Sequence, residues 1–271
     1  MVPVAEGRER LRQTFDQAAQ LYAQARPGYP EDLFDDLQRW GRLTGSTRVL
    51  EVGCGTGQAT RSLARRGWHV TAVELGGALA DVARRDLHGF RNVEVVTAEF
   101  ERWEPPRVPY QLVFAATSWH WLDPDVAFDK AAGLLGSAGI LGIVSTHHVQ
   151  PAGGDDFFEQ IQEAYAAIGE ADPRVRPPRP DEVVDDLAAD ITASGCFCDP
   201  VVQRYLVSHT HTAEEYIRLL STYSGHITMS ADQRAYLFAE IRRRVGDRSP
   251  PRLRKHYLNV LHVSSVRADH R

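Results

Sequence analysis

The chain has 271 residues, 43% hydrophobic and 25% charged, with a net charge of −5. That length holds one large α/β domain, or a core of roughly 200 residues with an inserted lid. The acidic balance argues against a nucleic-acid partner. No apolar run approaches the ~20 residues of a membrane helix, and the N-terminal MVPVAEGRERLRQTF lacks a signal-peptide core, so a cytoplasmic protein with no membrane contact is expected.

Residues 6–24 carry Leu11, Phe15, Ala18, Ala19 and Tyr22 at helical spacing and predict a first helix. It should stop before Arg26-Pro27-Gly28-Tyr29-Pro30, and Pro30 suits the first turn of a second helix running to about Trp40. Val49, Leu50 and Val52 then form an apolar run fit for a buried parallel strand. Gly53, Gly55 and Gly57 follow at alternate positions, and Gln58 to Arg66 reads as a helix. Strand, glycine turn and helix open a doubly wound α/β domain, which binds ligands at the carboxyl ends of its strands.

A dinucleotide fingerprint starting at Gly53 requires its third glycine at position 58, which is Gln58. The register that fits is an acid followed by G-x-G-x-G: Glu51, Gly53, Gly55, Gly57. A carboxylate there repels a pyrophosphate but can help hold an ammonium or a sulfonium. This spacing resembles the first motif of the class I S-adenosylmethionine (SAM)-dependent methyltransferases.

Farther along, His69 to Val73 predicts a second strand ending at Glu74, about 20 residues past the first glycine. An acid there offers two acceptors to the two hydroxyls of a ribose. A helix over Gly76 to Leu87 and a strand over Asn92 to Thr97 lead to Ala98-Glu99-Phe100. Tyr110 to Ala116 is the fourth strand, ending in Thr117-Ser118-Trp119-His120-Trp121. Two tryptophans flanking a group with a reference pKa near ~6.5 make an aromatic wall with one candidate base, His120. A helix over Asp125 to Leu135, a Gly136–Gly139 turn and a strand over Gly139 to Ser145 follow.

The second half is less regular. His147 and His148 are adjacent, so on a strand they face opposite ways, and no metal is expected. Cys54, Cys196 and Cys198 likewise make no metal set. A helix over Phe157 to Ile168 and the proline-rich Pro173 to Pro180 read as a lid. Helices over Asp181 to Ala193, from Thr212 to Leu220 (Thr212 and Glu215 forming a capping box) and over 230–245 are expected, with strands over Val201 to Ser208 and His256 to Val266.

Two further segments carry the resemblance. YAQARPGYP (Tyr22 to Pro30) and TAEEYIRLLSTYSGH (from Thr212) are similar to methyltransferase type 11-like bacterial small-molecule enzymes, a group that includes trans-aconitate-methyltransferase-like proteins. The resemblance implies a Rossmann-like methyltransferase fold: α/β, a doubly wound, seven-stranded, mostly parallel sheet with an antiparallel last strand and a helical cap. It implies SAM as cofactor and S-adenosylhomocysteine (SAH) as product. Tyr22 and Arg26 would cover the methionine end; Glu51, Gly53, Cys54, Gly55 and Gly57 would form the turn around the cofactor. Glu74 would take the ribose, Leu75 would be a further cofactor contact, Glu99 (where the family favours Asp) and Phe100 would meet the adenine, and Thr117 would border the methyl group. Gln111 replaces an acid usual in the family. Trp119, His120, Trp121, Tyr216, Tyr223 and His226 would line the acceptor site, with His120 as base.

The expected organisation is an N-terminal cap (1–44), the cofactor-binding core (45–146), a lid insert (147–180) and a C-terminal part (181–271) with capping helices over about 209–250. The expected activity is methyl transfer to an O or N atom of a small molecule in bacterial secondary metabolism, by a monomer or homodimer. The alternatives are a nicotinamide-dependent oxidoreductase and a non-catalytic methyltransferase-like binding protein.

Overall fold

A computed structural model describes residues 19–105, 108–170 and 176–268. The helix predicted over residues 6–24 lies outside the described residues as far as 18; helix α1 (Ala19–Ala25) covers its predicted end. Helix α2 (Glu31–Gly41) has Pro30 at its N-cap, so it starts one residue later than expected, and buries Leu33, Phe34 and Leu37. It is tied to the next helix by Glu31, which accepts from Ser62 Oγ (2.7 Å) and Arg66 Nη1 (2.7 Å).

The core runs β1 (Arg48–Val52), α3 (Gln58–Arg65), β2 (His69–Glu74), α4 (Gly77–Asp86), β3 (Val93–Thr97), β4 (Tyr110–Ala116), α5 (Pro124–Leu134) and β5 (Leu135–Val149). With β6 (Val201–His211) and β7 (Leu253–Ser265) these strands form one seven-stranded sheet in the order β3-β2-β1-β4-β5-β7-β6. The first five strands are parallel, and β7 is antiparallel to both β5 and β6. The order reverses direction at β1, which opens a crevice at its carboxyl end, as doubly wound sheets require.

Side-chain alternation along β1 builds both layers at once. Val49 packs with Phe34, Leu63 and Trp68 on one face, and Leu50 and Val52 pack with Val113, Phe128 and Ala131 on the other. Because both faces are covered, the strand is apolar at nearly every position. Glu51 is the exception, and it shares the face of Val49.

Four expectations need adjustment. β5 begins at Leu135, because a register shift between Tyr110 and Leu112 absorbs the Gly136–Gly139 turn as an irregularity within the strand. It also runs on to Val149, into the stretch expected to be an insert. There His147 and His148 do face opposite ways: His147 meets Asp185 Oδ2 at 3.3 Å, and the ring of His148 lies 4.6 Å from that of Phe158. The helix expected over Phe157 to Ile168 is two short ones, α6 (Phe157–Gln160) and α7 (Gln162–Ala167). That expected over Asp181 to Ala193 is a 3-10 turn at Pro180–Glu182 followed by α8 (Leu187–Ala193). Asp185 interrupts it, since its carboxylate accepts from Ser145, from the ring of His147 and from the Leu187 N–H. Of Pro173 to Pro180, residues 173–175 lie outside the described residues.

Helix α9 (Ala213–Leu220) carries the expected Thr212–Glu215 capping box. α10 (Ser224–Thr228) and α11 (Ala231–Gly246) follow, the latter capped by Ser230 and Gln233. α6, α9, α11 and β7 share a separate cluster that includes Phe157, Phe158, Tyr216, Leu237, Ile241 and Tyr257. Among the described residues no helix is long and apolar enough to cross a membrane.

Candidate functional site

All three glycines of the first turn have positive φ, +70° at Gly53, +57° at Gly55 and +90° at Gly57, a region L side chains rarely enter. Their surroundings separate their roles. A Cβ on Gly53 would stand 2.5 Å from Cβ of Ser118, and one on Gly57 2.8 Å from Cδ1 of Leu87. Gly53 therefore admits the loop after β4, and Gly57 admits Leu87. A Cβ on Gly55 would have 3.7 Å to the ring of Tyr22, so this glycine faces open space.

That space is a cavity of about 450 Å³ at the carboxyl ends of β1, β2 and β4. Gly57, expected among the ligand contacts, does not line it; its role is packing. Glu74 does line it, and does more than offer a carboxylate to a ligand. Its Oε2 accepts from the Gly55 N–H (2.8 Å) and its Oε1 from the Gly76 N–H (2.9 Å). One side chain thus ties the glycine turn to the tip of β2.

Glu51 is 1% exposed, lines the cavity, and has Oε2 without a hydrogen-bond partner. Burial pushes its carboxyl up to about 8, and the charge of Glu74 acts in the same direction. A buried acid in this state gains from a cation placed beside it. Glu99 lines the cavity and meets Arg102 Nε at 3.3 Å, while Phe100 is buried with the Lys130 ammonium 5.4 Å from its ring centre. Leu75 stands exposed at the rim. Burial raises the Cys54 thiol well above its ordinary value, which suits a packing role and not a nucleophile.

Arg26 reaches the cavity from the N-terminal segment, but its orientation comes from the far end of the chain. Its Nε donates to Thr222 Oγ1 (2.9 Å) and Nη2 to the Thr222 carbonyl (3.1 Å). The guanidinium lies 5.0 Å from the ring centre of Tyr22 and 4.2 Å from that of Tyr223. Nearby runs a hydroxyl chain whose direction is set at one end. Thr146 donates to Asn259 Oδ1 (2.8 Å), so Thr117 donates to Thr146 (3.1 Å) and Tyr29 to Thr117 (3.0 Å). Thr117 holds φ +57°, a strained position for a β-branched residue and one that marks sites of function.

The 3-10 turn Trp119–Trp121 divides the expected aromatic wall. Trp119 is a correction: it is buried, with its ring 5.2 Å from that of Phe128, and does not border the cavity. His120 and Trp121 do, with their rings 4.8 Å apart. Burial lowers the His120 pKa from its ordinary value by disfavouring the charged imidazolium. Tyr216, Tyr223 and His226 also fall outside this cavity. Tyr216 is buried against Phe157, Tyr223 backs Arg26, and His226 Nε2 meets the Tyr165 hydroxyl at 2.7 Å. The lining residues that the sequence does not single out as such include Tyr29, Gln58 and Ser118. Tyr29 belongs to the same ARPGYP segment as Arg26, so proximity in sequence was its one available signal.

Comparison with known proteins agrees with this architecture. Residues 49–139 match the family described as "Methyltransferase domain". An uncharacterised methyltransferase of Mycobacterium tuberculosis (strain H37Rv) is 35% identical over 138 residues, 51% of this chain and 54% of that protein. Among solved structures, one assigned as a type II methyltransferase from Anaeromyxobacter dehalogenans has a TM-score of 0.60 at 20% identity, covering 89% of this chain and 97% of that one. A phosphoethanolamine N-methyltransferase 2 from Haemonchus contortus, in complex with SAM, has a TM-score of 0.53 at 16% identity, covering 92% of this chain and 57% of that one. Over residues 49–139 the chain is thus similar to a methyltransferase domain, and its sheet order is that of the methyltransferase structures it resembles. It spans about half the length of the curated relatives it matches.

Proposed function

We propose that the protein transfers a methyl group from SAM to an oxygen or nitrogen of a small molecule, in the cytoplasm and in bacterial secondary metabolism. The observation that carries this reading is the buried carboxyl of Glu51, whose Oε2 has no hydrogen-bond partner among the described residues, set in a cavity beside Gly55 and Arg26. SAM offers each of these groups its complement: a cation for Glu51, a carboxylate for Arg26, and a ribose diol for Glu74. Tyr22 would cover the cofactor, Gly53, Cys54, Gly55 and Leu75 would border it, and Glu99 and Phe100 would meet the adenine. Thr117, Tyr29 and Trp121 would face the acceptor.

When bound, SAM supplies a methyl group already activated on a sulfonium. The chain then has to orient the acceptor, exclude water and take up a proton. His120 would accept that proton, a role supported by its position on the cavity wall. A nicotinamide reading is disfavoured because Gln58 lines the cavity where a third fingerprint glycine would stand.

Incubating the protein with methyl-tritiated SAM and a bacterial metabolite extract tests the activity. Label in a low-mass product, lost in His120→Ala at unchanged SAH affinity, is the expected result. Label absent from every fraction would instead favour a binding protein.

A further inference from the structure

The sheet face that carries Thr146 and Asn259 continues along β5, β7 and β6 toward α6, α9 and α10. Lys255 of β7, one of two lysines in the chain, is 2% exposed there. Its ammonium lies 5.1 Å from the ring centre of Phe158, 5.3 Å from that of Tyr257 and 5.9 Å from that of Tyr216. No hydrogen bond or ion pair reaches it among the described residues.

Three histidines near it each have a buried ring nitrogen without a hydrogen-bond partner: His148 Nε2, His211 Nε2 and His226 Nδ1. His148 packs 4.6 Å from Phe158, and His211 lies 6.3 Å from Tyr216. Burial lowers all three, to about 2 for His148 and about 4 for His211 and His226, and the charge of Lys255 lowers each further. Lys255 is itself pushed well down by burial and by Arg26.

The other groups facing this cage do not compensate it. His209 stands 5.8 Å from Tyr257, and His256 adds to the repulsion on His148. Glu215, the acid acting on His211, is committed to the cap of α9, where it accepts from the Thr212 N–H and hydroxyl. Among the described residues no group of three His, Cys, Asp or Glu is placed to hold a metal ion. Buried polar groups are costly unless they find partners, and the basic nitrogens of Lys255, His148 and His211 gathered about these rings, with His226 beside the neighbouring Tyr165 and Tyr223, call for oxygen ligands of negative charge.

We infer that this cage seats an anionic group, a carboxylate or a phosphate, of the methyl acceptor. Lys255 supplies the charge, the histidines donate hydrogen bonds, and Phe158, Tyr216 and Tyr257 hold the adjoining organic body. The inference rests on the methyltransferase reading, and it is joined to that site through side chains. Tyr257 and Tyr223 bring their hydroxyls within 3.4 Å, and Tyr223 stacks on Arg26, which lines the cofactor cavity. Because an anion favours the protonated form of every nitrogen around it, binding takes up protons.

Having only two lysines makes the test clean. In the full chain labelled with ¹³C at lysine Cε, two signals arise, assigned through Lys130→Arg. The SAH-saturated protein is titrated with benzoate and, separately, with inorganic phosphate, with sodium chloride as control. The Lys255 signal is expected to move from the amine to the ammonium position and to saturate with one of the two, which identifies the anion, while Lys130 stays put. Calorimetry in two buffers of different ionisation heat should show net proton uptake. Lys255→Met should weaken the anion by about tenfold or more, and Lys255→Arg should retain it. A Lys255 signal indifferent to both anions overturns the inference, as does a Lys255→Met protein that binds them as tightly as the original. If Lys255→Met fails to fold, the signal of the unmutated chain decides. SAH binding is measured in the same samples, so failure of the cofactor reading and failure of the anion site are seen separately.

Discussion

The crevice at the tips of β1 and β2 and the cage between β7 and α9 carry opposite chemistry. The first presents acids, Glu51, Glu74 and Glu99, around a glycine turn. The second gathers Lys255 and three histidines, each with one buried ring nitrogen that has no hydrogen-bond partner among the described residues, near aromatic rings. Among the described residues, Oε2 of Glu51 has no hydrogen-bond partner in one region and the Lys255 ammonium has none in the other, so each region is electrostatically incomplete in the opposite sense. Arg26 connects them, lining the crevice while leaning on Tyr223 and Thr222 of the second region. The pairing teaches that one bound molecule should bring a cation and the other an anion.

The sharpest way to break this comparison is to fill the crevice. Gly55→Val places a β-branched residue at φ +57° and a side chain toward Tyr22. SAH binding by calorimetry should be abolished while the circular dichroism spectrum is kept; retained affinity would remove the turn from the site. Glu74→Ala comes next, expected to weaken SAH by roughly 1.5–3 kcal/mol, since a charged acceptor is lost. Because Glu74 also holds the Gly55 and Gly76 N–H groups, faster amide exchange at both should accompany the loss; an unchanged Kd would place the carboxylate outside the ligand contacts.

Glu51→Gln sharpens the comparison through pH. The folded pKa of Glu51, about 8, lies above the unfolded value of ~4.3. Its contribution to stability is therefore fully present below ~4.3 and lost as pH rises through about 8. Thermal melts of Glu51→Gln should lack this decline. At pH 8 the variant should bind SAH about tenfold more weakly, and its affinity should lose the rise with pH that a carboxylate brings. Parallel pH profiles in the two proteins would contradict this. The smallest effect is expected from Thr222→Val, which removes the acceptor of Arg26 Nε without changing shape: about 0.5–1.5 kcal/mol in SAH affinity. An affinity identical to the original would uncouple Arg26 from the C-terminal half.

The two regions also differ in how far they can be read from sequence. The crevice is built from residues that fall at or just after strand ends in chain order, so Glu51, the glycines and Glu74 show in the spacing, while Glu99 and Thr117 come from the family resemblance. What spacing cannot separate is lining from packing. Gly57 answers to Leu87, and Trp119 turns inward while its neighbours His120 and Trp121 turn out, because a 3-10 turn sends adjacent side chains different ways. The cage depends on register between β5, β6 and β7: Lys255 faces His209, and Tyr257 faces His148. No local pattern carries that pairing. Lys255 in particular looks like any surface lysine until the strand that bears it is placed between two others. The interrupted helix before α8 is a similar case, decided by the distant contacts of Asp185 with Ser145 and His147.

The most direct measurement is a calorimetric titration of the unmutated chain with SAH and, in parallel, with NADH. Saturable one-to-one binding of SAH, with no heat from NADH, is the predicted outcome. Binding of NADH with none of SAH would mean that a pyrophosphate, and not an aminoacyl thioether, occupies the acid-lined crevice.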